Sequence, residues 1–297
     1  MTSEQAGRII ASMFTLSTWP TSQTTLAGVT GPPAGPPLLL LHGVLRGWRD
    51  FAALWPALLP RWQVHAIDHR GHGGSGRTPG AYRVRDYAAD AVELVRDHLP
   101  PGVVILGHSL GALVAAHVAA ALPERIAGVI LEDPPSPTFL GHVEGTPWHT
   151  VWTGMAPLAG SPAPTAQVAR QLAEVEQPTA KGPMRLGQLR DAASLRFSAH
   201  CLRQVDPGVF EPLLASHWLD GWDCAATFRK VRCPALILRG DPQLGGMLER
   251  SEAESLCAGM TEPLLVDVPG VGHLIHATAA EAMLRVALPF LESLGEL

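Results

Sequence analysis

Four short apolar runs in the first half of the chain, Leu38–Leu41, Val64–Ile67, Val103–Leu106 and Val129–Leu131, carry no polar alternation, and each gives way to a glycine or polar turn and a helix-like segment. A strand with one wet face alternates apolar and polar side chains, so unbroken runs of this length belong to a sheet covered on both faces. Parallel strands joined by crossover helices do this, which makes the fold class α/β. Upstream, Phe14–Trp19 and Thr24–Thr30 alternate and read as an antiparallel hairpin at the sheet's leading edge, followed by the proline-rich turn Gly31–Pro37.

After Leu131 the rhythm stops for about a hundred residues. It resumes with Ala235–Leu238, Leu264–Val268 and a final amphipathic helix over Thr278–Leu294. Residues 1–133 and 231–297 are therefore expected to form one core of eight mostly parallel strands, with residues 134–230 inserted after the sixth strand as a helical cap. The insertion is rich in aromatics, among them Phe139, Trp148, Trp152, Trp218 and Trp222. Two readings apply to different members of that set: a small core of the cap itself, and the wall of an apolar substrate pocket.

Composition narrows the partners. The net charge is −5, from 22 Lys+Arg against 27 Asp+Glu, and no basic run is present, which argues against nucleic acid. Cys201, Cys224, Cys233 and Cys257 show no CxxC spacing and read as free thiols. The opening MTSEQAGRII has no basic segment leading into an apolar one, and no stretch approaches the roughly 20 apolar residues of a membrane span. A cytoplasmic protein without membrane contact is the expectation, and the oligomeric state is open.

The chemistry begins at Gly107-His108-Ser109-Leu110-Gly111, directly after the run VVIL and before the helix-like ALVAAHVAA. In that strand-turn-helix setting a G-x-S-x-G is a nucleophile elbow, with Ser109 exposed on a strained turn and the helix amides facing developing negative charge. A serine hydroxyl needs a base. Val271-Gly272-His273 follows the last predicted strand, where His273 faces the same crevice; the nearby His276 reads as packed or capping. Leu40-Leu41-His42-Gly43 ends the third strand and brings the next loop toward the elbow, so the Val44 and Leu110 N–H groups are the candidate oxyanion hole.

With Asp68-His69-Arg70-Gly71-His72-Gly73-Gly74-Ser75 after the next strand, the chain resembles the α/β-hydrolase superfamily over almost its whole length. The resemblance is strongest to the capped bacterial esterases, lactonases and haloalkane dehalogenases, and it implies a mechanism without cofactor or metal. Ser109 stands where dehalogenases and epoxide hydrolases use an aspartate, so their alkyl-enzyme chemistry does not carry over. His65, His69, His72 and Asp68 also admit a metal-site reading, although their spacing departs from an HxHxDH pattern.

Two aspartates compete as partner of His273. Asp241, in Arg239-Gly240-Asp241-Pro242-Gln243 after the seventh strand, stands early for the family's Gly-x-x-Asp spacing and suits a turn start. Asp133 follows the sixth strand twenty-four residues beyond Ser109, the separation seen in relatives with the acid on that strand, and it is the favoured candidate. Glu132, one residue off, is expected on the opposite strand face. The reaction implied is hydrolysis of a carboxylic ester or lactone of an apolar small molecule through an acyl-enzyme. Carbon–carbon bond hydrolysis and a triad-retaining ligand receptor are the alternatives.

Overall fold

The computed structural model describes residues 13–179 and 181–296; the opening decapeptide, expected to lack an export signal, lies outside them. The apolar runs form one eight-stranded sheet: β1 (Thr15–Pro20), β2 (Thr25–Thr30), β3 (Pro37–Leu41), β4 (Gln63–Asp68), β5 (Val103–His108), β6 (Ile126–Glu132), β7 (Pro234–Arg239) and β8 (Glu262–Asp267). Their spatial order is β1-β2-β4-β3-β5-β6-β7-β8. The pairs β1/β2 and β2/β4 are antiparallel and the rest are parallel.

Successive residues of one run serve two cores. Leu39, Leu41, Ile105, Val129 and Leu131 face α1 (Val84–His98) and α2 (Leu110–Ala121). Leu38, Leu40, Val104, Leu106 and Ile130 face Phe51, Trp55 and Met283 on the other side. Both faces are dry, which is why the runs show no polar alternation. β8 is an edge strand, and its Leu264 is exposed.

The insertion between β6 and β7 carries α3 (Pro147–Met155), α4 (Thr165–Ala173) and α5 (Ala192–Leu202). Thr146 caps α3 by accepting from the His149 N–H, and Asp191 caps α5 by accepting from that of Ser194. It also holds an antiparallel hairpin, Glu176–Thr179 with Gly182–Arg185, where a purely helical segment was expected. Pro178 and Pro183 sit in its two strands, and both strands are edges, the position where a missing N–H is tolerated. The buried Trp152, Leu172, Leu202 and Trp218 join the cluster that also covers α1 and α2, so the insertion shares the core of that sheet face.

The final helix, α6, runs Ala280–Ser293, and Thr278 belongs to a separate short turn, Ile275–Thr278. All four cysteines are free thiols. Among the described residues no helix is long and apolar enough to cross a membrane.

Backbone hydrogen bonds tie the carboxyl ends of the central strands into one rim. The Ser109 N–H donates to the Glu132 carbonyl (2.9 Å), that of Asp133 to Leu238 (2.7 Å), and that of Asp241 to Val271 (2.7 Å). The loops that carry the candidate chemistry are thereby held side by side.

Candidate active site

Ser109 occupies the turn between β5 and α2 with φ 55° and ψ −116°. A non-glycine residue held there costs on the order of 1–3 kcal/mol and persists only where its surroundings enforce it. The flanking glycines enforce it by close approach. A Cβ on Gly107 would lie 2.1 Å from the Gly111 carbonyl oxygen, and one on Gly111 would lie 1.9 Å from that of Leu41. The strain falls on the serine, and the glycines let the backbone fold tightly around it.

His273 lies on the loop after β8, and its Nδ1 is 2.6 Å from an Asp133 carboxylate oxygen. Asp133 is fully buried, has φ 41°, and accepts two further hydrogen bonds, from the N–H groups of Gly240 (3.1 Å) and Met247 (2.9 Å). The carboxylate is thus fixed as an acceptor, so His273 presents Nδ1–H to it and keeps Nε2 free to take a proton. Asp241 is elsewhere: its side chain accepts from the Gln243 N–H (2.9 Å) and starts a short 3₁₀ turn. The structure therefore brings Asp133, and not Asp241, to His273.

The loop after β3 meets the elbow at Gly43, where a Cβ would lie 3.2 Å from Cβ of Ser109 and 2.6 Å from His108 Nδ1. Among the described residues, the N–H groups of Val44 and Leu110 have no partner within the chain. Two free donors flanking a serine are what a developing oxyanion requires.

His69 and His72, read as possible metal ligands, are wired into loops together with His42. His42 Nε2 accepts from the His69 N–H (3.0 Å), so its Nδ1–H donates to the Gly43 carbonyl (2.7 Å). His72 Nε2 accepts from the Leu45 N–H (3.1 Å), and its Nδ1–H donates to Arg70 (2.9 Å). His69 Nε2–H donates to the His42 carbonyl (3.1 Å). Burial keeps these rings neutral, lowering His42 to about 4 and His72 to about 3. Asp68 accepts from the N–H groups of Trp48 and Gly74 (both 2.9 Å), and His65 sits 3.3 Å from the Thr30 hydroxyl. The donor and acceptor atoms of His42, His69, His72 and Asp68 hold the loop that carries Val44 in shape.

A second charged group lies behind the first. His276 is fully buried, with Nδ1 2.8 and 2.9 Å from the two Glu132 oxygens, and its N–H donates to Glu132 as well (2.9 Å). Its Nε2 lies 3.2 Å from an Asp50 oxygen without hydrogen-bond geometry, a contact that is ionic in character. Arg46 in turn grips both oxygens of Asp50. Burial opposes the charge on His276, yet Glu132 and Asp50 outweigh it and raise the group to about 10. Burial likewise disfavours the Asp50 carboxylate, and Arg46 and His276 overcome it, holding Asp50 well below the usual range. Asp50, His108 and His276 place donor atoms within 4.8 Å of one another, the spacing of a metal site. With Asp50 held by Arg46 and His276 already cationic, that set is better described as an ion-pair network.

Arg46 and Asp50 escaped the sequence. Their one visible trace is the i, i+4 spacing of Arg46 and Asp50 just after the His-Gly pair.

Residues 36–181 match the family model described as alpha/beta hydrolase fold. The chain is 26% identical to 2-(acetamidomethylene)succinate hydrolase of Mesorhizobium japonicum, over 88% of this chain and 89% of that one. It is 29% identical to a pimeloyl-[acyl-carrier protein] methyl ester esterase of Yersinia enterocolitica, over 85% and 92% of the two chains. Among solved structures, the enol-lactonase of Burkholderia xenovorans LB400 superposes with a TM-score of 0.70 at 20% identity, covering 93% of this chain and 100% of that one.

Proposed function

The chain belongs to the α/β-hydrolase superfamily and is a hydrolase, and from that premise we propose that it cleaves a carboxylic ester or lactone of an apolar small molecule through an acyl-enzyme on Ser109. The observation that carries the reading is the buried 2.6 Å contact between Asp133 and His273, whose loop is joined through His108 to a serine held at φ 55°. His273 Nε2 takes the Ser109 proton as the hydroxyl oxygen attacks the carbonyl carbon. Asp133 stabilises the imidazolium, and the Val44 and Leu110 N–H groups hold the oxyanion. Collapse of the tetrahedral intermediate breaks the acyl–oxygen bond, and His273 returns its proton to the leaving alkoxide. Water, deprotonated by the same histidine, then releases the acid and regenerates Ser109.

The substrate class rests on the wall next to the base. The half-buried Trp148 ring packs edge-on against that of His273, with centroids 5.5 Å apart, and the buried Trp152 and the half-buried Phe139 back it. Such a wall favours an apolar group beside the reacting carbonyl. In this reading residues 134–230 are the cap over the site. The methyl ester named for the Yersinia relative has the same reacting group.

Ser109→Ala tests the proposal. A fluorophosphonate is expected to label the parent at Ser109 and leave the variant unlabelled, with turnover of a p-nitrophenyl ester falling about 10⁴-fold or more at unchanged fold. A variant that keeps most of its activity removes Ser109 as nucleophile. A parent that gives one burst and a stable adduct, without further cycles, makes the protein a receptor.

A further inference from the structure

Ser109, its base and its oxyanion hole sit on three separate loops, and the ring of His108 touches all three. It is the residue immediately before Ser109. Its Nδ1 edge lies under Gly43, so close that a Cβ there would be 2.6 Å away. Its Nε2 is 3.0 Å from the His273 carbonyl oxygen. The ring is 1% exposed and sits between two other imidazoles, 4.6 Å from that of His273 and 4.8 Å from that of His276.

A carbonyl oxygen only accepts, so Nε2 carries the proton and Nδ1 is left as a lone pair with no partner among the described residues. A buried acceptor without a partner is costly, and its persistence marks a ring placed for its other nitrogen. Burial, followed by the neighbouring His273 and His276, holds His108 well below the ordinary histidine range. The ring therefore stays neutral and does not compete for the proton that His273 must take.

We propose that His108 is a positioning residue, clamping the base loop to the elbow and the oxyanion loop through the hydrogen bond from its Nε2–H to the His273 carbonyl. Asp133 fixes His273 from the side-chain end, and His108 fixes the same residue from the backbone end. With both in place the imidazole has one orientation toward Ser109; with the backbone end released, the loop can slide while the Asp133 contact is kept. This inference rests on the roles assigned to Ser109 and His273.

The test compares His108→Gln with His108→Asn. A glutamine amide reaches the position of Nε2 and can donate to the same carbonyl, whereas the shorter asparagine amide stops near Nδ1. Both are polar and of similar bulk, so a general packing requirement does not separate them. The readouts are kcat and KM on a p-nitrophenyl ester and the far-downfield proton resonance of the His273–Asp133 hydrogen bond. Asn is expected to lower kcat roughly 10- to 100-fold, the scale of an ångström-level misplacement, with KM within about twofold and the resonance broadened. Gln is expected to recover most of both. Equal kcat and an equally sharp resonance in the two variants overturns the clamp. Fluorophosphonate labelling of the parent keeps the outcomes apart: an unlabelled parent refutes the nucleophile assignment, while the resonance still reports whether His108 orders His273.

Discussion

Two histidine–carboxylate pairs stand side by side at the end of β6. Glu132 and Asp133 are consecutive, and their partners His276 and His273 are three residues apart on one loop. Both pairs are buried, with comparable contacts. What differs is what else surrounds each ring. Asp133 is held by two backbone N–H groups and faces one histidine, whose Nε2 has no carboxylate partner among the described residues. His276 has a carboxylate at each nitrogen, Glu132 on one side and Asp50 on the other, with Arg46 behind Asp50. One carboxylate orients an imidazole and leaves it able to exchange a proton; two carboxylates turn it into a fixed cation. Burial and a carboxylate partner are common to both rings; of the two, His276 meets a carboxylate at each nitrogen and His273 at one.

The sharpest way to break the comparison is to remove the charge from the first pair. Asp133→Asn is expected to lower kcat by about 10⁴ with the fold preserved, because the amide favours the wrong tautomer of His273. Asp241→Asn is expected to stay near parental activity and to lose about 0.5–2 kcal/mol of stability, as for a removed cap. Kinetics and thermal melts on both variants decide it. The reverse ranking moves the acid to the seventh strand and makes Asp133 a structural group.

The second pair should show the opposite signature. Glu132→Gln leaves the buried imidazolium with one carboxylate fewer, and breaking a buried pair from one side typically costs about 3–5 kcal/mol. Urea unfolding is expected to show a loss on that scale while Ser109 still reacts with a fluorophosphonate. A variant with parental stability and a rate loss matching Asp133→Asn would mean that Glu132 serves the base directly, and the division of labour between the pairs would be gone.

How much of this was legible depends on how local the cause was. The strained turn at Ser109 and the two-faced strands follow from short segments whose patterning is dictated by neighbours in sequence, and the aspartate that meets His273 was picked out by the resemblance to families with the acid on that strand. Glu132 was expected on the opposite strand face, and its side chain meets His276, away from His273. What covers it was not legible, because Asp50 and Arg46 arrive from a loop some eighty residues upstream. The charge on His276 was hidden for the same reason: a histidine's state is set by what is folded around it. The hairpin in the insertion was missed because its strands, EQPT and GPMR, carry neither apolar alternation nor β-branched runs.

The smallest effect is a pH dependence, and it tests whether His276 carries its charge. In the folded chain the group is raised from 6.5 to about 10, so between those values the native state holds a proton that the unfolded state has released. Its contribution to stability is then fully present below pH 6.5 and is lost as the pH rises through 10. One proton's difference gives a slope of at most about 1.4 kcal/mol per pH unit. Other buried groups bend the same curve higher up, since burial lifts the Cys201 and Cys224 thiols to about 12. The comparison is therefore between the parent and His276→Gln, which share those groups. Between pH 7 and 9 the parent is expected to lose stability with rising pH while the variant, less stable throughout, follows a flatter line. Equal slopes would mean that His276 is neutral in the folded protein. The ring flanked by two carboxylates would then differ from His273 in position alone, and the account of why only one of them can act as a base would fail.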